Sequence, residues 1–189
     1  MKNTHTIQTL QYPISFKVNS GVALDAFLEN KSYSKLFVLM DENTYTHCYP
    51  ILMQDSVNLA EAELLVIDAG EENKSIEIAS QLWESLTDGG ADRHSLLINL
   101  GGGLISDLGG FVASAFKRGI DFVNIPTTLL AMVDASIGGK TGVNLGAYKN
   151  QIGLFAVPQE IIIDLRYLDS LPQNQILSAY TFHLAINLF

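Results

Sequence analysis

The sequence is short of cysteine and of long apolar runs. Cys48 is the single cysteine among 189 residues, which excludes an internal disulfide and is typical of a reducing compartment. No window reaches the roughly 18 uninterrupted apolar residues that predict a transmembrane helix. The N-terminal stretch MKNTHTIQTLQYPI has no apolar signal core. We therefore expect a cytoplasmic protein without a membrane partner.

Positive charge is scarce as well. The chain carries 11 Lys and Arg residues against 20 Asp and Glu residues, for a net charge of −9. Nine of the acids fall between Glu61 and Asp92, where Lys74 is the only base. Because such a surface repels phosphate backbones, we expect no nucleic-acid partner. The basic residues that suit a small anionic ligand lie where acids are sparse: Lys117, Arg118, Lys140 and Lys149.

The chain alternates between short β-rich runs and helix-like segments. The clearest helix covers residues 75–87, with Ser75 as its cap. Continuous apolar runs separated by helices predict an α/β fold, a Rossmann-like parallel sheet with flanking helices. Ligands of such sheets bind at the carboxyl ends of the strands. The runs are residues 14–18, 36–40, 64–67, 96–100, 122–125 and 161–163.

The fourth run leads into three consecutive glycines, Gly101 to Gly103, and then into a helical pattern with Asp107 one turn in. Glycines allow a backbone to approach a diphosphate, and a helix N-terminus favours negative charge. The pattern therefore predicts a nucleotide or a phosphorylated ligand. It departs from the dinucleotide fingerprint, which would have glycine at Ser106 and would follow the first strand. A tight packing turn, with Asp107 complementing the helix dipole, is the alternative.

A second polar motif follows the fifth run, where IPTTLLAMVD leads into ASIGGKTGVN. Thr127 and Thr128 offer hydroxyl groups at a strand end, and Asp134 and Lys140 flank a Gly-Gly turn. The GGKT letters invite comparison with a P-loop, but that motif requires glycine at the position of Asp134. The motif is therefore not a P-loop. Lone lysines on loops are usually solvated, but three polar clusters among small residues within 25 positions favour a functional segment.

The segments GGGLISDLGGFVASAFKRG, IPTTLLAMVDASIGGKTGVN and KNQIGLFAVPQEIIIDL together resemble the 3-dehydroquinate synthase family. The segments GEENK and YLDSLP match the same pattern, so the resemblance covers about residues 36–178. It implies a lyase of the shikimate pathway, which makes aromatic amino acid precursors. Such enzymes convert 3-deoxy-arabino-heptulosonate 7-phosphate to 3-dehydroquinate and phosphate with catalytic NAD. They also use a divalent metal, zinc or cobalt, held by a C-terminal helical domain.

The resemblance also implies roles for individual residues. The substrate contacts would be Asp134, Lys140, Asn150 and Arg118, the last reaching the substrate phosphate of a neighbouring subunit in a homodimer. The implied cofactor-binding residues are Asp41, Glu71, Lys74, Gly102, Gly103, Asp107, Thr127, Thr128, Lys149 and the segment from Tyr167 to Ser170.

The chain departs from the family pattern near its C-terminus. Phe182 stands where the pattern has a metal-ligand Glu, and Ala185 stands where it has a Lys. We therefore divide the chain into an NAD-binding α/β domain, residues 1–176, and an atypical tail, residues 177–189, which looks like a truncation. With no complete metal site, this chain is expected to be inactive alone, and its uncovered apolar surface is expected to favour self-association.

Two other functions remain open at this point. One is another sugar-phosphate cyclase, or a metal-dependent polyol dehydrogenase, of the same superfamily. The other is a nucleotide-binding module without catalysis. Asp134, Lys140 and the Lys149-Asn150 pair favour 3-dehydroquinate synthase over the first of these, and the second stays open.

Overall fold

The computed structural model describes residues 5–9, 12–16, 19–29 and 31–187, without the side chains of residues 5 and 181–187. The strands are β1 (His5–Gln8), β2 (Pro13–Phe16), β3 (Leu36–Asp41), β4 (Glu63–Ile67), β5 (Leu96–Gly101), β6 (Asp121–Pro126), β7 (Lys140–Leu145), β8 (Tyr148–Phe155) and β9 (Glu160–Ile163). The α-helices are α1 (Ser20–Leu28), α2 (Glu42–His47), α3 (Tyr49–Asp55), α4 (Ile76–Asp88), α5 (Gly103–Ala115) and α6 (Gln173–Asn187). Short 3₁₀ turns cover Asn58–Glu61, Glu71–Asn73, Phe116–Arg118 and Leu165–Ser170, and a π-helical turn covers Ala131–Ala135.

The main sheet has the strand order β1-β2-β9-β6-β5-β3-β4. Every neighbouring pair in it is parallel except β1 with β2. The predicted Rossmann-like parallel sheet is therefore confirmed, and each predicted run lies in one of its strands. Residues 17 and 18 of the first run fall outside the described residues. The antiparallel edge strand β1 was not predicted.

The central strands β3, β5 and β6 are buried on both faces, which explains why they are largely apolar runs. On β3, Val38 and Met40 pack into one core cluster with helices α1 and α3, while Phe37 and Leu39 pack into another with α4 and α5. All four side chains are fully buried. Helix α4 begins after Ser75, whose hydroxyl accepts a hydrogen bond from the Ile78 N–H at 3.3 Å. The predicted helix and its cap are thus confirmed.

Strands β7 and β8 form a separate antiparallel hairpin, which the sequence analysis did not predict. Its strands hold glycines opposite each other, Gly142 and Gly153. A Cβ on Gly142 would lie 2.6 Å from the Ile152 carbonyl oxygen, so these glycines allow the strands to approach. The two glycines therefore serve the close pairing of two strands and not a turn.

Helix α5 packs closely on the sheet at Gly109. A Cβ at this position would lie 2.5 Å from Asn99 Cγ, and nearer still to Asn99 Oδ1. Asn99 is fully buried and donates a hydrogen bond from Nδ2 to Asn124 Oδ1 at 3.0 Å, so it has little room to move. The missing side chain at Gly109 is therefore a packing requirement of the helix–sheet contact.

Gly109→Ala is expected to lower the free energy of unfolding by about 1–3 kcal/mol, the usual cost of overpacking a core. Gly138→Ala is the matched control, because a Cβ there has no atom within 4 Å. Its effect should stay below about 0.5 kcal/mol, as at most surface positions. Urea denaturation measures both values. Equal effects of the two substitutions would contradict the packing argument.

In the described part of the chain, no helix combines the length and the apolar character needed to cross a membrane.

Candidate nucleotide-binding cleft

A cleft of about 700 Å³ opens at the carboxyl ends of β3, β5 and β6, beside the first turns of α6. This is the edge of a parallel sheet where ligands bind. The cleft brings together most of the cofactor candidates named above: Asp41, Glu71, Lys74, Gly102, Gly103, Asp107, Thr127, Thr128, Tyr167 and Ser170. Lys149 does not line it, and neither do Leu168 and Asp169 of the segment from Tyr167 to Ser170.

The glycine turn forms one wall of the cleft. Strand β5 ends at Gly101, Gly102 is the N-cap of α5, and no side chain caps that helix. A Cβ on Gly102 would lie 3.0 Å from Thr128 Cγ2, so a side chain here would fill the space between the turn and the threonine. The N–H groups of the first turn of α5 therefore stand beside an open cradle. Such a cradle fits a diphosphate.

A buried ion pair lies next to this turn. Lys74 is 4% exposed, and its Nζ lies 2.5 Å from Asp107 Oδ2. The pKa of Asp107 is raised, chiefly because burial disfavours its charge, although the Lys74 ammonium acts in the opposite direction. The carboxylates of Glu71 and Asp134 add to the rise. The pair is the charged centre of the cleft, and Lys74 fixes the orientation of the Asp107 carboxylate.

Asp41 ends β3 and also caps α2. Its Oδ1 accepts a hydrogen bond from the Thr44 N–H at 2.8 Å, and the Asp41 N–H donates to Thr44 Oγ1 at 3.0 Å. This capping box fixes a carboxylate at the mouth of the cleft. A carboxylate at this place is an acceptor suited to sugar hydroxyl groups.

Cys48 lines the inner part of the cleft beside Tyr167 and Ser170. It is 4% exposed, and burial, helped by the negative charge of Asp41, raises its pKa to about 11. The thiol is therefore held in its protonated, unreactive form at neutral pH.

Cys48 is expected to react with a disulfide reagent at pH 8 about a hundredfold or more slowly than a free thiol. A pKa of about 11 leaves about one thiol in a thousand ionised at pH 8, against about a quarter of free cysteine. The absorbance of the thiolate released from the disulfide reagent measures the reaction rate of Cys48, with the urea-unfolded chain as the control. A folded chain that reacts within tenfold of the control would contradict the buried position of the thiol.

The substrate candidates lie outside the cleft. Asp134, Lys140 and Arg118 are exposed and do not line it. Arg118 has a left-handed backbone, with φ of 73°, at the end of the 3₁₀ turn Phe116–Arg118. Asn150 is also exposed, but its Oδ1 accepts a hydrogen bond from Lys74 Nζ at 2.6 Å, which links it to the cleft. Lys149 Nζ lies 4.0 Å from Glu71 Oε1, an exposed contact.

The cleft also contains residues that the motifs did not point to. Asn43, Thr44 and His47 on α2 line it, as do Gln175 and Ser178 on α6. The residues on α2 directly follow Asp41, so extending the strand-end rule past β3 would have found them. Helix α6 runs without a break from Gln173 to Asn187, across residue 177. The side chains of Phe182 and Ala185 lie outside the described residues.

The resemblance implies no complete metal site in this chain, because Phe182 stands at the position of a metal-ligand Glu. Among the residues whose side chains the structure describes, no three His, Cys, Asp or Glu residues are grouped so that they could hold a metal ion. The described residues therefore fit a nucleotide but not a metal.

Comparison with known proteins gives consistent relatives. The family model described as 3-dehydroquinate synthase N-terminal matches residues 64–178. A 3-dehydroquinate synthase of Parabacteroides distasonis is 48% identical over 157 residues, which are 83% of this chain and 44% of that protein. A 3-dehydroquinate synthase of Alkaliphilus oremlandii is 39% identical over 169 residues, or 89% of this chain and 47% of that protein. The chain thus spans about half the length of the curated relatives it matches.

Solved structures share the fold. A 2-deoxy-scyllo-inosose synthase, complexed with carbaglucose-6-phosphate, NAD⁺ and Co²⁺, has a TM-score of 0.83 at 25% identity. The match covers 94% of this chain and 50% of that protein. A 2-epi-5-epi-valiolone synthase from Streptomyces hygroscopicus, with bound NAD⁺ and Zn²⁺, has a TM-score of 0.80 at 29% identity, with coverages of 93% and 49%. An iron-containing alcohol dehydrogenase at 16% identity, with a TM-score of 0.71, shares the fold alone.

Proposed function

Because the chain belongs to the 3-dehydroquinate synthase family, we propose that it is the NAD-binding part of a 3-dehydroquinate synthase. The whole enzyme would convert 3-deoxy-arabino-heptulosonate 7-phosphate to 3-dehydroquinate and phosphate. One observation carries the proposal: the cofactor candidates, scattered from Asp41 to Ser170, converge on a single cleft at the strand ends. The relatives at 39–48% identity support the same reaction class.

Each side of the cleft has a task in this proposal. The N-terminus of α5 and Gly102 hold the NAD diphosphate, and Asp41 accepts hydrogen bonds from a ribose. Asp107, oriented by Lys74, accepts a hydrogen bond from a ribose or from the nicotinamide amide of the cofactor. Thr127 and Thr128 add hydroxyl groups at the end of β6. NAD, when bound, supplies reversible hydride transfer to and from a ring carbon of the substrate.

The substrate would bind at the hairpin of β7 and β8 and at the π-helical turn that precedes this hairpin. Lys140 and Asn150 would hold the anionic phosphorylated sugar acid in register with the cofactor, and Asp134 would accept from its hydroxyl groups. Arg118, which is exposed, would reach the substrate phosphate of a second subunit. A homodimer or another self-association of this chain is part of the proposal for that reason.

The metal stands apart in this proposal. The resemblance places Phe182 and Ala185 at the positions of the metal-ligand Glu and the Lys, and zinc or cobalt would be held by the remaining half of such an enzyme. We therefore assign no step to a metal in this chain and propose that the 189-residue chain binds NAD without turnover.

A sugar-phosphate cyclase with another product is the second candidate. The two solved cyclases named above favour it, since they share the fold at 25% and 29% identity. The 3-dehydroquinate synthases are more similar, at 48% and 39%. Product analysis with the whole enzyme of which this chain would be the NAD-binding part separates the two, because only one of them yields 3-dehydroquinate.

NAD is expected to bind at least tenfold more tightly than NADP, because the Asp41 carboxylate would repel the 2′-phosphate of NADP. The repulsion between two close like charges costs about 1 kcal/mol or more. Asp41→Asn should narrow that preference. It removes the charge but keeps the Oδ1 that accepts from the Thr44 N–H. Glu84→Gln, an exposed acid outside the cleft, is the charge control. Calorimetric titration with both nucleotides measures the ratio. An unchanged ratio in Asp41→Asn would contradict the ribose assignment.

A further inference from the structure

Asn144 joins the hairpin to the cleft. It lies on β7, where its N–H donates to the Lys74 carbonyl at 2.8 Å and where it forms a single parallel bridge with Ser75. These are backbone contacts that any residue could make. They bring the end of the hairpin against the segment that carries Glu71 and Lys74.

The Asn144 side chain then contacts both sides of this joint. Its Oδ1 accepts a hydrogen bond from the Asn150 N–H at 2.9 Å. Its Nδ2 donates to the Glu71 carbonyl oxygen and to Glu71 Oε1, each at 3.3 Å. The amide accepts on one side and donates on the other, whereas a carboxylate in its place could only accept.

Asn150 depends on this contact. Its φ is 53°, in the left-handed region that non-glycine residues adopt at a cost. In this conformation its Oδ1 accepts from Lys74 Nζ at 2.6 Å, and Lys74 in turn holds Asp107. Asn144, Asn150 and Lys74 therefore close a ring of hydrogen bonds between the hairpin and the charged centre of the cleft.

We propose that Asn144 is a positioning residue that sets Asn150 and Glu71 against Lys74 and thereby couples the substrate hairpin to the cofactor cleft. This inference rests on the proposed function, since it concerns the same site. Asn144 does not line the cleft, and it acts through the three residues that it holds.

Asn144→Asp tests the two halves of the contact separately. The new carboxylate keeps an oxygen for the Asn150 N–H but loses the donor to Glu71, so that two carboxylates face each other. We expect NAD affinity to fall by about tenfold, the size of a lost hydrogen bond to a charged group. When Asn144→Asp is combined with Glu71→Gln, the roles of donor and acceptor are reversed, because the new amide can donate to the new carboxylate. In the Glu71→Gln background, Asn144→Asp should therefore lower NAD affinity by less than about threefold, since the effects of substitutions at contacting residues are not additive.

Gln151→Glu is the matched control, because it adds a negative charge to the same hairpin without a hydrogen bond to Glu71. Its effect on NAD affinity should be equal with and without Glu71→Gln. If Asn144 had a merely structural role, the effect of Asn144→Asp on NAD affinity would likewise be equal with and without Glu71→Gln. Calorimetric titration of the four combinations, with thermal unfolding to confirm the fold, distinguishes the two.

Amide exchange supplies a second measurement that needs no added charge. In Asn144→Ala the amide of Asn150 should exchange faster, while the amides of the paired residues Thr141 and Leu154 keep their protection. Unchanged exchange at Asn150, or equal losses for Asn144→Asp with and without Glu71→Gln, overturns the inference. A parent chain that binds no NAD overturns the proposed function and the inference with it, whereas NAD binding with additive losses overturns the inference alone.

Discussion

Replacing Asp107 with alanine is expected to weaken NAD binding by about tenfold or more. The substitution removes a charged acceptor beside the glycine turn, and hydrogen bonds to charged groups contribute about 1.5–3 kcal/mol. It also leaves the Lys74 ammonium, which is 4% exposed, without its carboxylate partner. Calorimetric titration with NAD measures the loss.

Asp107→Asn is the control for this experiment. It keeps the shape of the side chain and one oxygen acceptor, but it removes the charge and replaces the second oxygen with an NH₂ donor, so its affinity should lie between the parent and Asp107→Ala. Thermal unfolding confirms that each variant is folded. Folded alanine and asparagine variants that bind NAD as tightly as the parent would show that Asp107 is not a cofactor ligand.

The raised pKa of Asp107 gives this contact a pH dependence. Burial, as the main cause, favours the protonated form in the folded chain, so the pKa lies above the ordinary value of 3.8. The stability that this group contributes is present below 3.8 and is lost as the pH rises through the raised pKa. NAD binding should change in the opposite direction, because acidification through that pKa removes the charged acceptor. Titrations at several pH values should therefore show the parent approaching Asp107→Asn in acid, whereas a constant difference would contradict this role.

The second large effect concerns turnover. We expect the 189-residue chain to release no phosphate from 3-deoxy-arabino-heptulosonate 7-phosphate, even with NAD and zinc supplied. By resemblance, Phe182 and Ala185 occupy the positions of the metal-ligand Glu and the Lys, and a metal without protein ligands cannot act as a fixed Lewis acid. The full-length enzyme of a relative serves as the positive control.

Phosphate release at saturating substrate, with the zinc content of the chain measured in parallel, gives the result. Sustained turnover together with one tightly bound zinc ion per chain would contradict the proposed division of labour. Turnover without bound zinc would instead contradict the argument that the reaction needs a metal ion held by protein ligands.

The fold was largely predictable because its signals are local. Residues 96–98 and 100 are apolar because both faces of β5 are buried, and the glycines that follow mark the start of α5. Ser75 could be identified as a helix cap from its place before one apolar stripe. The hairpin of β7 and β8 could not be identified in this way, because Gly142 and Gly153 resemble turn residues unless their pairing is known.

The cleft was predictable to a similar degree. Strand ends and short motifs located Asp41, Gly102 and Thr127, each of which lines it. The contacts of Asn144 were not predictable, since the bond to Glu71 joins residues 73 positions apart and depends on how the hairpin docks. The close approach of α5 to Asn99 at Gly109 depends on the three-dimensional packing in the same way.

The most direct test of the central claim is a calorimetric titration of the 189-residue chain with NAD. The proposed cleft predicts one NAD bound per chain, with affinity reduced in Asp107→Ala and little changed in Gly138→Ala, whose added Cβ contacts nothing within 4 Å. A folded chain that gives no binding heat at several temperatures, and whose melting temperature does not rise with NAD, would contradict it.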